Sequence, residues 1–252
     1  MMGRVREWYR QQRVRKKVSH FIRLATSCGW VTARLPEPTP LRHGRVLVLA
    51  PHVDDEAIGC GGTLWLHRHV NDPVHVAYVL ADARRQAVRE AEGDRAGALL
   101  GAAVTHLRCP QDPDAVREAL KPLLLRERPD VIYVPWLLDN HEGHQVVHRA
   151  LGSLLEQGVP CGEVWCYEVW SPLVPNRIVD ITSVLPRKTE LLRLYASQLA
   201  HKDIANMALG LSAYRGGFLG RKDSVAAEVF LALSSSEYRR FGKQLLHATA
   251  AR

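Results

Sequence analysis

Val46-Leu47-Val48-Leu49-Ala50-Pro51-His52-Val53-Asp54-Asp55-Glu56-Ala57-Ile58-Gly59-Cys60-Gly61-Gly62-Thr63-Leu64 is the stretch from which the fold is read. Its apolar run of Val and Leu stops at Pro51, the pattern of a strand buried on both faces in a parallel sheet. A histidine and three consecutive acids follow, then glycines, then an apolar-periodic segment that predicts a helix. In open α/β sheets, ligands sit at the carboxyl ends of strands, so His52, Asp54 and Asp55 fall where chemistry is expected. A capping role for Asp54 or Asp55 is the plainer alternative. Adjacent carboxylates, however, raise one another's pKa unless a cation stands between them. One imidazole and two carboxylates on a short turn can hold a divalent metal and leave one acid free, which suits metal-assisted hydrolysis.

Outward from this stretch, strands and helices alternate. Strands are expected near 45–50, 74–81, 104–108, 131–134 and 163–168, with helices at 56–69, 83–100, 114–128 and 142–156. Beyond Pro172 the rhythm changes to a short strand at 177–181, a helix at 185–199, a glycine-bearing loop at 215–220, a late strand at 226–233 and a last helix at 236–249. This order predicts an α/β, Rossmann-like, mainly parallel sheet with helices on both faces, the C-terminal part completing the sheet and the pocket.

The 252 residues suit one large domain, and 46% hydrophobic with 24% charged residues is the composition of a globular chain with a full core. Five cysteines, with no Cys-x-x-Cys pair, argue against a disulfide framework or a thiolate zinc site and for a reducing, cytoplasmic compartment. No apolar run is long enough to cross a bilayer. The net charge of +8 is concentrated in residues 1–24, which hold eight Lys or Arg against one acid. We therefore divide the chain into a basic arm with a Pro-rich linker, 1–40, and a single domain, 41–252. A basic helix in the arm suits an anionic membrane surface, and so a peripheral location, or an acidic partner; a solvated helix packed on the domain is the plainer reading. Charge is nearly balanced elsewhere, so no nucleic acid is expected. Oligomeric state is not legible.

A second polar group follows the fourth strand: Asp139-Asn140-His141-Glu142-Gly143-His144. His141 and His144 share a helix face, which lets one bind metal while the other points at substrate. His148 is a rival ligand four residues on. Together, Pro51-His52-Val53-Asp54-Asp55-Glu56, Gly59-Cys60-Gly61-Gly62-Thr63 and His141-x-x-His144 closely resemble the LmbE-like/PIG-L family of zinc-dependent de-N-acetylases. The likeness extends to Arg89-x-x-Glu92, Tyr167-Glu168, Asp180-Ile181-Thr182, Lys188, Ser197-Gln198, Arg215-Gly216 and Ala227-Glu228-Val229-Phe230, spanning about 44–233.

The resemblance implies Zn2+, or another divalent cation, on His52, Asp55 and His144, with Asp54 as general base and His141 stabilising charge. Asp139 would orient His141 or another imidazole. Arg89, Glu92 and Arg215 are candidate substrate contacts, with a salt bridge on the helix as the alternative for the first two. The implied substrate is an N-acetylglucosamine-type sugar or sugar conjugate, cleaved to a free amine and acetate. Gly143 departs from the family, which often carries an acid there. Rival readings are a metal-dependent amidase or phosphatase, a nucleotide-binding protein using Gly59-x-Gly61-Gly62, and a binding module led by the arm. The nucleotide reading is weakened because its third glycine would fall at Leu64.

Overall fold

The computed structural model describes residues 38–223 and 225–249, so the basic arm lies outside the described residues. Seven strands form one sheet: β1 (Val46–Ala50), β2 (Val74–Leu80), β3 (Ala103–Cys109), β4 (Val131–Pro135), β5 (Glu163–Tyr167), β6 (Arg177–Asp180) and β7 (Ala227–Ser234). Their order is β3-β2-β1-β4-β5-β7-β6. The first five run parallel, and β7 is antiparallel to both β5 and β6. The C-terminal part thus completes the sheet, as the sequence leads one to expect.

The helices are α1 (Asp55–His69), α2 (Gln86–Leu100), α3 (Pro113–Glu127), α4 (Glu142–Glu156), α5 (Leu185–Arg193), α6 (Ala196–Leu199), α7 (Ile204–Gly216) and α8 (Ser235–Thr249). β1 is buried throughout, and its alternating side chains enter two cores. Leu47 and Leu49 join α3, α4 and α8 on one face, while Val46, Val48 and Ala50 join α1, α2, α5 and α7 on the other. Burying each Leu this way stabilises the fold by about 1.5–3 kcal/mol.

Two elements depart from expectation. The helix expected over 185–199 breaks into α5 and α6 at Leu194-Tyr195, where the Tyr195 hydroxyl turns inward to the buried carboxylate of Glu56. Ahead of the expected glycine loop at 215–220 stands α7, which takes in Arg215 and Gly216. The glycines of α1 serve close packing: a Cβ on Gly59 would lie 2.0 Å from the Tyr167 ring, and one on Gly62 2.8 Å from Ile181.

β1 and β4 are neighbours, yet the chain leaves β1 into α1 on one face and β4 into α4 on the other. That divergence opens a crevice at their carboxyl ends, the place where such sheets bind ligands.

Candidate metal centre

Both polar clusters meet at this crevice. The Asp55 carboxylate is buried, and its Oδ2 accepts the backbone N–H of His52 at 2.8 Å. The same oxygen stands 3.1 Å from His52 Nδ1 and 3.3 Å from His144 Nε2. One nitrogen from each of His52, His141 and His144 lies within 4.8 Å of the others, so His141 stands in ligand reach as well. The His52 and His141 rings meet edge to face at 4.6 Å between centres.

The donor set fits a metal. Donors on a tetrahedral ion at about 2.0–2.2 Å stand roughly 3.3–3.6 Å apart, close to the spacings around Asp55 Oδ2. Neither ring nitrogen of His144 makes a hydrogen bond of ordinary geometry although the ring is fully buried, and His141 Nδ1 is likewise buried without one. Buried polar atoms are rarely left so unless something else binds them.

Asp139 fixes the second half of the site. Its Oδ1 accepts the His141 N–H at 3.0 Å, and its Oδ2 accepts the N–H groups of Trp170 at 2.9 Å and Ser171 at 3.3 Å. Oδ2 also stands 3.5 Å from His144 Nδ1, so the imidazole it backs is that of His144. A carboxylate behind a ligating histidine sets the ring's orientation and tautomer. Gly143 has a spatial reason: a Cβ there would lie 2.8 Å from the His52 ring, so a side chain would push into that imidazole.

Asp54 occupies the N-cap position of α1, yet its side chain makes no capping bond, and its φ of 142° is strained for a residue with a Cβ. The turn is braced from α2, where Arg89 Nη1 donates to the Val53 carbonyl at 2.9 Å and stands 3.8 Å from Asp54 Oδ2. Burial and the neighbouring Asp55 charge push the Asp54 acid well above its ordinary range, against the pull of Arg89. Asp55 goes the other way: burial opposes ionisation, but the charges of His144 and His52 hold it well below the carboxylate range. Burial would push His144 down, yet Asp55 and Asp139 raise it to about 9. The two adjacent carboxyls are thus pushed in opposite directions, as happens where acid–base chemistry is done.

The remaining sequence candidates are tied to neighbouring segments. Arg89 and Glu92 do not pair with each other: Arg89 Nε meets Asp82 at 3.1 Å, and Glu92 accepts the N–H and hydroxyl of Ser197 at 2.8 and 2.7 Å. Arg215 is buried, its guanidinium on Glu168 and the Leu173 carbonyl. His148 is buried on the Tyr238 hydroxyl at 2.5 Å and the Trp136 carbonyl at 3.2 Å, which takes it away from any ligand role. Glu56, the third acid of the first cluster, is buried between the hydroxyls of Tyr78 and Tyr195, and burial raises its pKa to about 7. Those tyrosines are 117 residues apart, so no local pattern announces the arrangement.

Cys60, Cys109 and Cys161 are free cysteines, and no described helix is long and apolar enough to cross a membrane.

A family model described as PIG-L: GlcNAc-PI de-N-acetylase matches residues 47–155, which include both halves of the centre. The chain is 26% identical to 2'-N-acetylparomamine deacetylase of Streptomyces fradiae, over 67% of this chain and 80% of that protein. In fold it is similar to N,N'-diacetylchitobiose deacetylase from Pyrococcus horikoshii, with TM-score 0.62 and 22% identity over 77% of this chain and 85% of that one. It is equally similar to GalB, the 4-carboxy-2-hydroxymuconate hydratase from Pseudomonas putida KT2440, with TM-score 0.63 and 20% identity over 75% of this chain and 96% of that one. The family model and the paired sequence motifs agree: residues 47–155 are similar to the PIG-L, or LmbE-like, family domain.

Proposed function

We propose that the protein is a metal-dependent deacetylase that removes the N-acetyl group from an N-acetylglucosamine-type sugar or sugar conjugate, giving a free amine and acetate. The observation that carries this reading is the convergence of His52, Asp55 and His144 beside a buried Asp54 whose side chain makes no capping bond. The deacetylases among its relatives support the choice of an acetamide as the bond cleaved.

His52, Asp55 and His144 would hold the ion, zinc in our reading. Bound there, zinc supplies Lewis acidity that polarises a carbonyl and acidifies a water. Asp54 takes the proton of the attacking water and returns it to the departing amine. His141, packed against His52, faces the charge that develops on the acetamide oxygen. Asp139 holds the His144 ring in place, and Arg89 holds the strained turn that carries Asp54. Within this reading Glu92 and Arg215 support the walls of the pocket through Ser197 and Glu168.

A hydratase shares the fold, so the fold alone does not choose the reaction. The deciding experiment is acetate release from a panel of N-acetylated sugars, nucleotide sugars and lipid-linked sugars by the zinc-loaded full-length chain. Release from at least one, abolished by chelation, is the expected result; turnover of none of them, or release indifferent to chelation, overturns the reading. The eight basic residues in 1–24 favour a lipid-linked or otherwise anionic substrate at a membrane surface. Equal pelleting with anionic liposomes by the full chain and by a chain lacking 1–24 would remove that refinement.

A further inference from the structure

The aromatic residues separate sharply by exposure. Trp136 and Trp165 are 3% and 2% exposed and belong to the core, whereas Trp170 is 38% exposed. Trp170 follows β5, and its backbone N–H donates to Asp139 Oδ2, the oxygen that stands 3.5 Å from His144 Nδ1. Its main chain is thus anchored to the carboxylate that backs a metal-centre imidazole. The Nζ of Lys202, an exposed residue between α6 and α7, stands 4.1 Å from the centre of a Trp170 ring.

A circuit of contacts links this pair to both catalytic turns. Arg89 ties α2 to Val53, and one helical turn on, Glu92 ties it to Ser197. Arg85 donates to the Ser197 carbonyl at 3.3 Å. The chain then runs from Ser197 to Lys202, Lys202 meets Trp170, and Trp170 meets Asp139, which holds His141. Within this circuit Lys202 and Trp170 join a half-open aromatic surface to an ammonium. The apolar face of a sugar ring stacks on an indole, and an ammonium donates to ring hydroxyls or to an anionic substituent. Fixing the indole in advance lowers the entropy lost on binding.

We propose that Trp170 and Lys202 form a subsite for a second ring of the substrate, next to the acetamido sugar whose amide is cleaved. The inference rests on the deacetylase reading for the bond broken, but not for the binding itself. The test compares N,N'-diacetylchitobiose with N-acetylglucosamine on the zinc-loaded full-length protein. In Trp170→Ala, the ratio of kcat/KM for disaccharide over monosaccharide is expected to fall about tenfold, or ~1.4 kcal/mol. The fall should come through KM, with Trp170→Phe retaining most of the ratio and Lys202→Met losing part of it. An unchanged ratio in a folded Trp170→Ala, or a fall confined to kcat, overturns the subsite.

Should Trp170→Ala not fold, a fluorescence titration needs no turnover. N,N'-diacetylchitobiose should give a saturable change in tryptophan emission of the parent that is missing in Trp170→Phe. No such change in the parent, or the same change in Trp170→Phe, overturns the proposal. A Trp170-dependent change without acetate release from any sugar would leave the subsite standing and remove the deacetylase reading.

Discussion

Two clusters of buried charge sit on α1, at opposite degrees of satisfaction. Around its glycines, the Glu228 carboxylate accepts Gly62 N–H at 2.8 Å, Thr63 N–H at 2.7 Å, the Thr63 hydroxyl at 2.6 Å and Lys188 Nζ at 2.7 Å. Lys188 donates in addition to the Ile58 carbonyl at 2.9 Å and the Ser212 hydroxyl at 3.2 Å. At the N-terminal end of the same helix, the nitrogens of His144 lie buried without hydrogen bonds, Asp54 caps nothing, and its backbone is strained. A completed network holds a fold together, while an incomplete and strained one is organised for something that is not protein. The polar atoms of the first cluster are hydrogen-bonded, whereas the buried His144 nitrogens of the second are not.

The largest effect expected from breaking this contrast is at Asp54. Asp54→Asn keeps the shape of the turn but cannot carry the proton, so acetate release should drop about 10²–10⁴-fold with the thermal midpoint nearly unchanged. Equal turnover by this variant would remove the general-base role. Lys188→Met should act in the reverse way, since it leaves Glu228 buried and unpaired. A loss of about 3–5 kcal/mol in denaturant unfolding is expected, with activity per folded molecule little altered.

His148 sharpens the contrast through pH. Burial lowers its pKa to about 4, so it is neutral in the fold and binds a proton more readily when unfolded. Its contribution is therefore complete above the unfolded pKa of about 6.5 and is lost as pH falls from there toward 4. Between pH 7 and pH 5 the parent should lose about 2 kcal/mol more than His148→Gln, measured by denaturant unfolding at both pH values. Identical losses would show that His148 does not titrate in this way. The smallest effect is at Gly143. Gly143→Ala puts a methyl into the His52 ring and should weaken zinc binding by about tenfold, near the low end of what displaced supports of metal ligands cost. Unchanged affinity would mean that His52 is free to move aside.

How much of this was legible in the sequence depends on how local each signal is. The β1 run and the acids behind it read directly, because burial on both faces leaves an uninterrupted apolar strand. The α7 helix gave no such signal: its buried residues Ile204, Ala208, Ser212, Arg215 and Gly216 have helical spacing, but most are not hydrophobic. The buried Arg215 carries its own partner, Glu168, from another element. The pairing of Asp139 with His144, and not only with its near neighbour His141, depends on how the loop after β4 folds back. The strain at Asp54 and the Lys202 contact to Trp170 are tertiary facts with no sequence pattern at all. Of the two charge clusters, the residues of the first turn stand together in the sequence, whereas the Lys188–Glu228 network joins residues 40 apart.

Calorimetric titration of the metal-free full-length protein with zinc, parent against a His52→Gln/His144→Gln double variant, tests the central claim most directly. The account predicts one tight site in the parent and its loss in the double variant, with both proteins folded. Equal binding by the two would contradict it.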